Sequence, residues 1–269
     1  SDLRGCVASK PAGSAMRQNQ PMSEVVLVTG GSRGIGAATA VLAAERAMSV
    51  AVNYRSDESS ARRVVEQCRT NGVAAEAIQG DVAVESDVVA MFGRAEEALG
   101  PVTVLVNNAG ILETQSRFDE RSVDRWRRVI DVNVVGAFIC AREAVRRMST
   151  RHGGAGGSIV NVSSAASYIG GPNEYVDYAA TKGAVDTLTV GLAKEVAAEG
   201  IRVNGVRPGI IRTDIHASGG EPGRVDRVAP TVPMQRGGEP EEVARLILWL
   251  ASEEASYVTG DLVNCSGGR

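Results

Sequence analysis

The sequence predicts an α/β domain built on one doubly wound parallel sheet with helices on both faces. Three observations carry this prediction. Short β-rich apolar runs recur, among them "VVLV" at 25–28, "SVAVNY" at 49–54 and "VTVLVNNAG" at 102–110. Stretches with helical spacing separate them. Within each run apolar residues follow one another instead of alternating with polar ones, as they do in strands whose sheet is covered on both sides.

Residues 1–22, "SDLRGCVASKPAGSAMRQNQPM", have neither an apolar period nor a signal-peptide core. They read as a mobile extension ahead of a single domain at 23–269, with Met16 and Met22 as alternative starts. Val25 to Val28 then form a buried strand, and Ala37 to Ala47 a helix with small residues on its packing face. Between them "GGSRGIG" sets four glycines in seven residues. Glycine admits positive φ and close approach of backbone to an anion, and the N-terminus of the following helix attracts negative charge. The turn is therefore a phosphate-binding device, with a tight turn free of ligand as its plain alternative. Further strands are expected at "SVAVNY", "VAAEAIQGD", "VTVLVNNAG", "SIVNVSS", "IRVNGVRPG" and "DLVNCSGG". Sheets of this kind bind ligands beyond the carboxyl ends of their strands, so the residues that follow each run are the candidates for function.

A length of 269 residues suits one domain, and a net charge of −3 with scattered basic residues argues against nucleic acid or a membrane surface as the partner. No apolar run approaches the roughly 18 residues that span a bilayer, the nearest being "LILWLA" from Leu246. Cys6, Cys68, Cys140 and Cys265 form no C-x-x-C pair and have only His152 and His216 to help them, so no metal site is expected. The compartment is expected to be reducing and cytoplasmic. Cys140, inside "GAFICA", reads as a buried, unreactive thiol.

From Ser23 to Arg269 the chain resembles the short-chain dehydrogenase/reductase family. The resemblance is carried by "TGGSRGIG" at 29–36, "NNAG" at 107–110, "YAATK" at 178–182 and "RPG" at 207–209, in the family's order and spacing. It implies a Rossmann-type fold, hydride exchange between a nicotinamide dinucleotide and a carbonyl or alcohol, and a homotetramer. The chain is similar to 3-oxoacyl carrier-protein reductases and to glucose 1-dehydrogenases, which leaves the substrate open among acyl thioesters, sugars and steroid or other ketones. A catalytically idle NADP-binding sensor is the alternative from a different class.

Hydride transfer to a carbonyl needs a proton donor for its oxygen. Tyr178 and Lys182 share one helical face if "YAATK" is helical, and an ammonium beside a phenol favours the phenolate. Alone, such a pair is an ordinary amphipathic surface; Tyr175 has Ala179 four residues on and no lysine. The resemblance implies a serine at the end of the fifth strand. Ser164 is assigned that role, and Ser163 a local hydrogen bond, although a small insertion in "YIGGPNE" is suggested by the distance to Tyr178. Asn133 is implied to hold a water that links Lys182 to solvent, its plain alternative being a satisfied buried amide.

By the same resemblance Gly30, Ser32, Arg33, Gly34, Ile35 and Gly36 cradle the pyrophosphate, Asp81 and Val82 meet the adenine, and Asn108, Ala109 and Gly110 line the ribose. Pro208, Gly209, Ile211 and Thr213 pass the nicotinamide, and Tyr178 and Lys182 also touch the cofactor. Tyr54 falls where NAD enzymes carry an acid, while Arg33 and Arg55 offer cations to a 2′-phosphate. NADP(H) is therefore preferred, with NAD(H) also accepted in the expectation. Asp57 is expected at the start of the next helix. Ile215 to Gly238 reads as a lid or a long surface loop. Arg121, Arg125, Arg127, Arg128, Arg146, Arg147 and Arg151 form either a dock for an acidic carrier protein or a solvated or subunit-facing helix surface.

Overall fold

Seven strands form one all-parallel sheet, ordered β3-β2-β1-β4-β5-β6-β7, in the computed structural model, which describes residues 24–269. The expected extension at 1–22 lies outside the described residues. The first half runs β1 (Val25–Val28), α1 (Gly34–Glu45), β2 (Ser49–Tyr54), α2 (Glu58–Thr70), β3 (Ala75–Gln79), α3 (Glu85–Leu99) and β4 (Val104–Asn107). The second half runs α4 (Val123–Ile130), α5 (Gly136–Met148), β5 (Gly157–Val162), α6 (Ala166–Ile169), α7 (Val176–Val196) and β6 (Ile201–Pro208). It closes with α8 (Ile215–Ser218), α9 (Arg224–Val228), α10 (Pro240–Ala251) and β7 (Leu262–Cys265).

The apolar runs of the strands are explained by two cores, one on each face. In β1, Val26 and Val28 join Val50, Val52, Val104 and Val106 under α1, α2 and α10, whereas Val25 and Leu27 join Ala51, Leu105 and Ile159 under α3 and α5. Successive side chains of a strand point to opposite faces, so a strand buried on both must be apolar throughout. Cys140 is fully enclosed in the second core, and burial pushes its thiol up to about 12, so the expectation of an inert thiol holds.

Because the chain reverses direction across the sheet between β1 and β4, the carboxyl ends of these strands flank a crevice. Two local features shape it. α1 begins at Gly34, three residues before the expected start at Ala37, so the glycine turn already contains the head of the helix. α4 and α5 run into one another through a π-helical turn, Asp131–Val135, which turns Asn133 inward and buries it. The segment 215–238 is no bare loop, since α8, α9 and a 3₁₀ turn occupy much of it. Among the described residues no helix is long and apolar enough to cross a membrane.

Candidate active site

A cavity of about 580 Å³ occupies the crevice. Of the residues assigned from the sequence to cofactor and chemistry, all but Gly36 and Asn133 line it. Gly36 departs from the expectation that it cradles the pyrophosphate with Gly30 and Gly34. A Cβ built there would meet the Gly30 carbonyl oxygen at 2.4 Å and Asn108 Nδ2 at 2.6 Å, so this glycine serves close packing of turn against strand.

Side chains from neighbouring strand ends hold the turn. The Thr29 hydroxyl accepts the amides of Asn108 at 2.9 Å and Ala109 at 3.0 Å, and Asn108 Nδ2 donates back to the Thr29 carbonyl at 2.8 Å. Asn53, buried at the end of β2, takes the Gly30 amide on its Oδ1 at 3.1 Å. Sequence reasoning passed over Asn53. The available signal was an amide within an otherwise apolar, doubly covered strand.

Past Asn53 the cavity wall carries Tyr54, Arg55, Ser56 and Asp57. Asp57 caps α2, its carboxylate accepting the Ser60 amide and hydroxyl and the Ser59 hydroxyl, and these hydrogen bonds pull it down to about 2. Its acceptor capacity is thus engaged locally, as expected for a helix start. Arg33 and Arg55 are exposed at the cavity rim, and among the described residues neither has a carboxylate partner.

At the other end stand Ser164, Tyr178 and Lys182. α7 places Tyr178 and Lys182 one turn apart, with Lys182 Nζ 5.5 Å from the centre of the Tyr178 ring. The ammonium donates to the Val162 carbonyl at 2.8 Å, and burial lowers Lys182 to about 8, against a weaker opposing pull from Asp186. It is charged at neutral pH. Burial pushes the Tyr178 phenol up to about 12, with the Ser164 hydroxyl pulling the other way. The phenol is raised, where the expectation was that Lys182 would lower it. Taking the phenolate out of water is the dominant cause, and the phenol is held as a proton donor.

Ser163 is confined to local structure as expected, its hydroxyl donating to the Lys182 carbonyl at 3.2 Å. Gly170 and Gly171, at φ of 84° and 56°, turn the chain between Ser164 and α7 and absorb the longer spacing. Asn133 is a satisfied amide. Its Oδ1 accepts the Ile111 amide at 2.8 Å, and its Nδ2 donates to the Ile111 carbonyl at 3.0 Å and the Thr181 hydroxyl at 3.2 Å. The same Oδ1 nevertheless faces the gap that Lys182 faces. A Cβ added at Gly110 would lie 3.4 Å from Asn133 Oδ1 and 3.6 Å from Lys182 Nζ.

The arginine cluster is corrected at Arg121 and Arg125, whereas Arg127, Arg128, Arg146 and Arg151 are solvated as the helix-surface alternative expects. Arg121 and Arg125 point inward onto Asp177, at 2.5 and 2.7 Å, with side chains 0% and 10% exposed against 6% for the carboxylate. Arg121 also donates to the Ser116 and Glu174 carbonyls and Arg125 to the Thr114 carbonyl, while Asp177 Oδ1 accepts the Tyr178 amide at 2.9 Å. This triad ties the loop after β4 to the start of α7. The other arginines are paired within the chain: Arg127 with Asp124, Arg128 with Glu113, Arg146 and Arg147 with Glu143, and Arg151 with Glu199. Charges neutralised this way make a poor dock for an acidic partner.

The 215–238 segment packs beside the Tyr178 end of the cavity, which Ile215, His216 and Arg224 help to line. Gly219 packs against Leu112 and Tyr175, while Arg224 bridges Glu174 at 2.5 Å and Glu221 at 3.4 Å and lies over the Tyr175 ring. Gln115 Nε2 donates to the Tyr175 hydroxyl and to Glu221. The lid reading fits this placement better than a free surface loop.

Comparison with known proteins agrees with this geometry. The family model described as Enoyl-(Acyl carrier protein) reductase matches residues 30–269. An uncharacterized oxidoreductase of Escherichia coli (strain K12) is 56% identical over 91% of this chain and 99% of its own. A 3beta-hydroxysteroid dehydrogenase of Eggerthella lenta is 43% identical over 91% of this chain and 93% of its own. The crystal structure of an acetoin dehydrogenase from Salmonella typhimurium superposes with a TM-score of 0.80 at 36% identity, covering 92% of this chain and 97% of that one. With a seven-stranded parallel sheet, a glycine turn at the crevice and these relatives across nearly its whole length, the chain belongs to the short-chain dehydrogenase/reductase family of oxidoreductases.

Proposed function

We propose that the protein is an NADP(H)-dependent oxidoreductase that interconverts a carbonyl and an alcohol. The observation that carries this reading is one continuous cavity. It runs from a glycine turn flanked by two guanidiniums that have no carboxylate partner among the described residues to a half-buried phenol beside a serine and a lysine. The residues fit the dinucleotide. The head of α1 offers amides and a positive dipole end to the pyrophosphate, and Arg33 and Arg55 offer charge to the 2′-phosphate. When bound, NADPH supplies a hydride to the carbonyl carbon. Ser164 steadies the substrate oxygen by a hydrogen bond, and Tyr178 gives that oxygen its phenolic proton. Lys182 offsets the negative charge left on Tyr178 and, facing the same gap as Asn133, connects it to a proton supply. Ile111, Leu112, Ile169 and Ile215 give the chamber apolar walls that exclude water. Cys68, Cys140 and Cys265 are free thiols, in keeping with a reducing, cytoplasmic setting.

NADPH is expected to bind more tightly than NADH. Arg33→Glu with Arg55→Glu should invert that order, because each charge reversal turns a phosphate contact into repulsion. Equal affinities of the wild type for the two cofactors in fluorescence titration would contradict the assignment.

A homotetramer is expected. Ile130, Val135 and Phe138, at 45%, 41% and 46% exposure, leave an apolar stripe on the α4–α5 face, which isologous packing of two copies would cover. Light scattering at micromolar protein checks this, and a monomeric mass would contradict it.

A further inference from the structure

We infer that Asn53 is a positioning residue for cofactor binding, which sets the glycine turn and the adenine wall at a fixed separation; the inference rests on the dinucleotide reading of the cavity. Its side chain lies in the cavity wall and is 2% exposed. Oδ1 accepts the Gly30 amide at 3.1 Å, and Nδ2 donates to the Ile78 carbonyl at 3.3 Å and the Gly80 carbonyl at 3.0 Å. The Asn53 backbone carbonyl accepts the Gly31 amide at 2.8 Å. One residue thus joins the ends of three adjacent strands, β1, β2 and β3, at their cofactor edge.

Only a primary amide of this length does all of this at once. Aspartate at neutral pH has no donor for Ile78 and Gly80, leucine has neither donor nor acceptor, and glutamine is one methylene too long. Loss of this amide would leave the Gly30 amide and the Gly80 carbonyl without the side-chain partner they have here.

Two consequences follow for ligand binding. The amides of Gly30 and Gly31 are occupied within the protein, so they do not reach the pyrophosphate. Phosphate recognition falls to the amides at the head of α1, those of Arg33, Gly34 and Ile35, which line the cavity and precede the first helical bond, made by the Ala37 amide to the Arg33 carbonyl. At the other end of the amide, Gly80 leads directly into Asp81 and Val82, the residues assigned to adenine. Asn53 itself touches neither reacting atoms nor any residue assigned to proton transfer.

The test combines variants with a measurement on the wild type. Asn53→Leu and Asn53→Ala should weaken NADPH roughly 10- to 100-fold by fluorescence titration, the expected loss when buried hydrogen bonds to a binding loop are removed. The affinity for adenosine 2′,5′-bisphosphate should fall with it. At saturating NADPH, kcat and the KM for the carbonyl should stay within about threefold of wild type, because the proton-transfer end is untouched. A folded variant, judged by circular dichroism, that keeps its NADPH affinity within about twofold overturns the inference, whatever its melting temperature. In the wild type, residue-resolved amide exchange should show Gly30 and Gly31 protected before cofactor is added. Arg33 to Ile35 should become protected only when NADPH is present. Gly30 and Gly31 amides that exchange freely in the unliganded protein and slow down on adding NADPH would overturn it even if neither variant folds. A wild type that binds no dinucleotide would sink the functional reading separately, while protection of Gly30 and Gly31 would still show whether Asn53 holds the turn.

Discussion

Tyr178→Phe should abolish most turnover while leaving cofactor affinity close to wild type. The ring stays, as do its packing and the glycine turn, and only the proton donor is removed. A general acid contributes roughly 10² to 10⁴ in rate, so the loss in kcat should be at least that large. Burial pushes the Tyr178 phenol up to about 12, which favours the protonated donor that reduction needs at neutral pH. Alcohol oxidation needs the phenolate and should accelerate with rising pH across the alkaline range, a limb that Tyr178→Phe should lack. Lys182→Ala should lose turnover to a similar extent and also weaken NADPH, since its ammonium lies on the cavity wall. Near-normal turnover of Tyr178→Phe in a steady-state assay would place the proton donor elsewhere.

Asp177→Ala is expected to be among the most destabilising single changes in the chain. Its carboxylate neutralises two guanidiniums, both at most 10% exposed, so its removal leaves two buried cations instead of one pair. Breaking a buried ion pair costs about 3–5 kcal/mol. In a domain of this size that lowers Tm by roughly 10 °C. Arg125→Met should cost less, because Arg121 and Asp177 remain paired. Burial alone would raise the Asp177 carboxyl, but hydrogen bonds from Arg125 and the Tyr178 amide and the charges of both arginines hold it below its ordinary 3.8. The sign follows from that depression. The pair's contribution is complete above about 3.8 and is lost as pH falls through the lower folded value. Thermal scans of the variants at neutral pH, and of wild type into acid, check both statements. A Tm for Asp177→Ala within about two degrees of wild type would contradict the buried-triad account.

What was legible in the sequence was local. The apolar runs, the glycine turn and the four-residue spacing of Tyr178 and Lys182 are patterns within a few residues, and the fold keeps each of them. Pairings between distant segments were not legible. Asp177 lies 56 residues from Arg121 and 52 from Arg125, so their mutual burial looked like a basic surface. Gly36 has the spacing of a phosphate-contacting glycine, yet only the approach of the Gly30 carbonyl shows that it serves packing. The resemblance likewise made the Tyr178–Lys182 pair recognisable but said nothing of desolvation, which sets the protonation of the phenol.

The most direct test is transfer of label. NADPH deuterated at its transferable position should be incubated with the protein and a panel of ketones spanning steroids, small hydroxyketones, sugars in the carbonyl form and 3-oxoacyl thioesters. Mass spectrometry of the products then reads the outcome. The account predicts deuterium on the new carbinol carbon of at least one product, with the label retained in the cofactor by Tyr178→Phe. Tight NADPH binding with no label transferred to any carbonyl across the panel would contradict it and would favour a protein that senses the cofactor without using it.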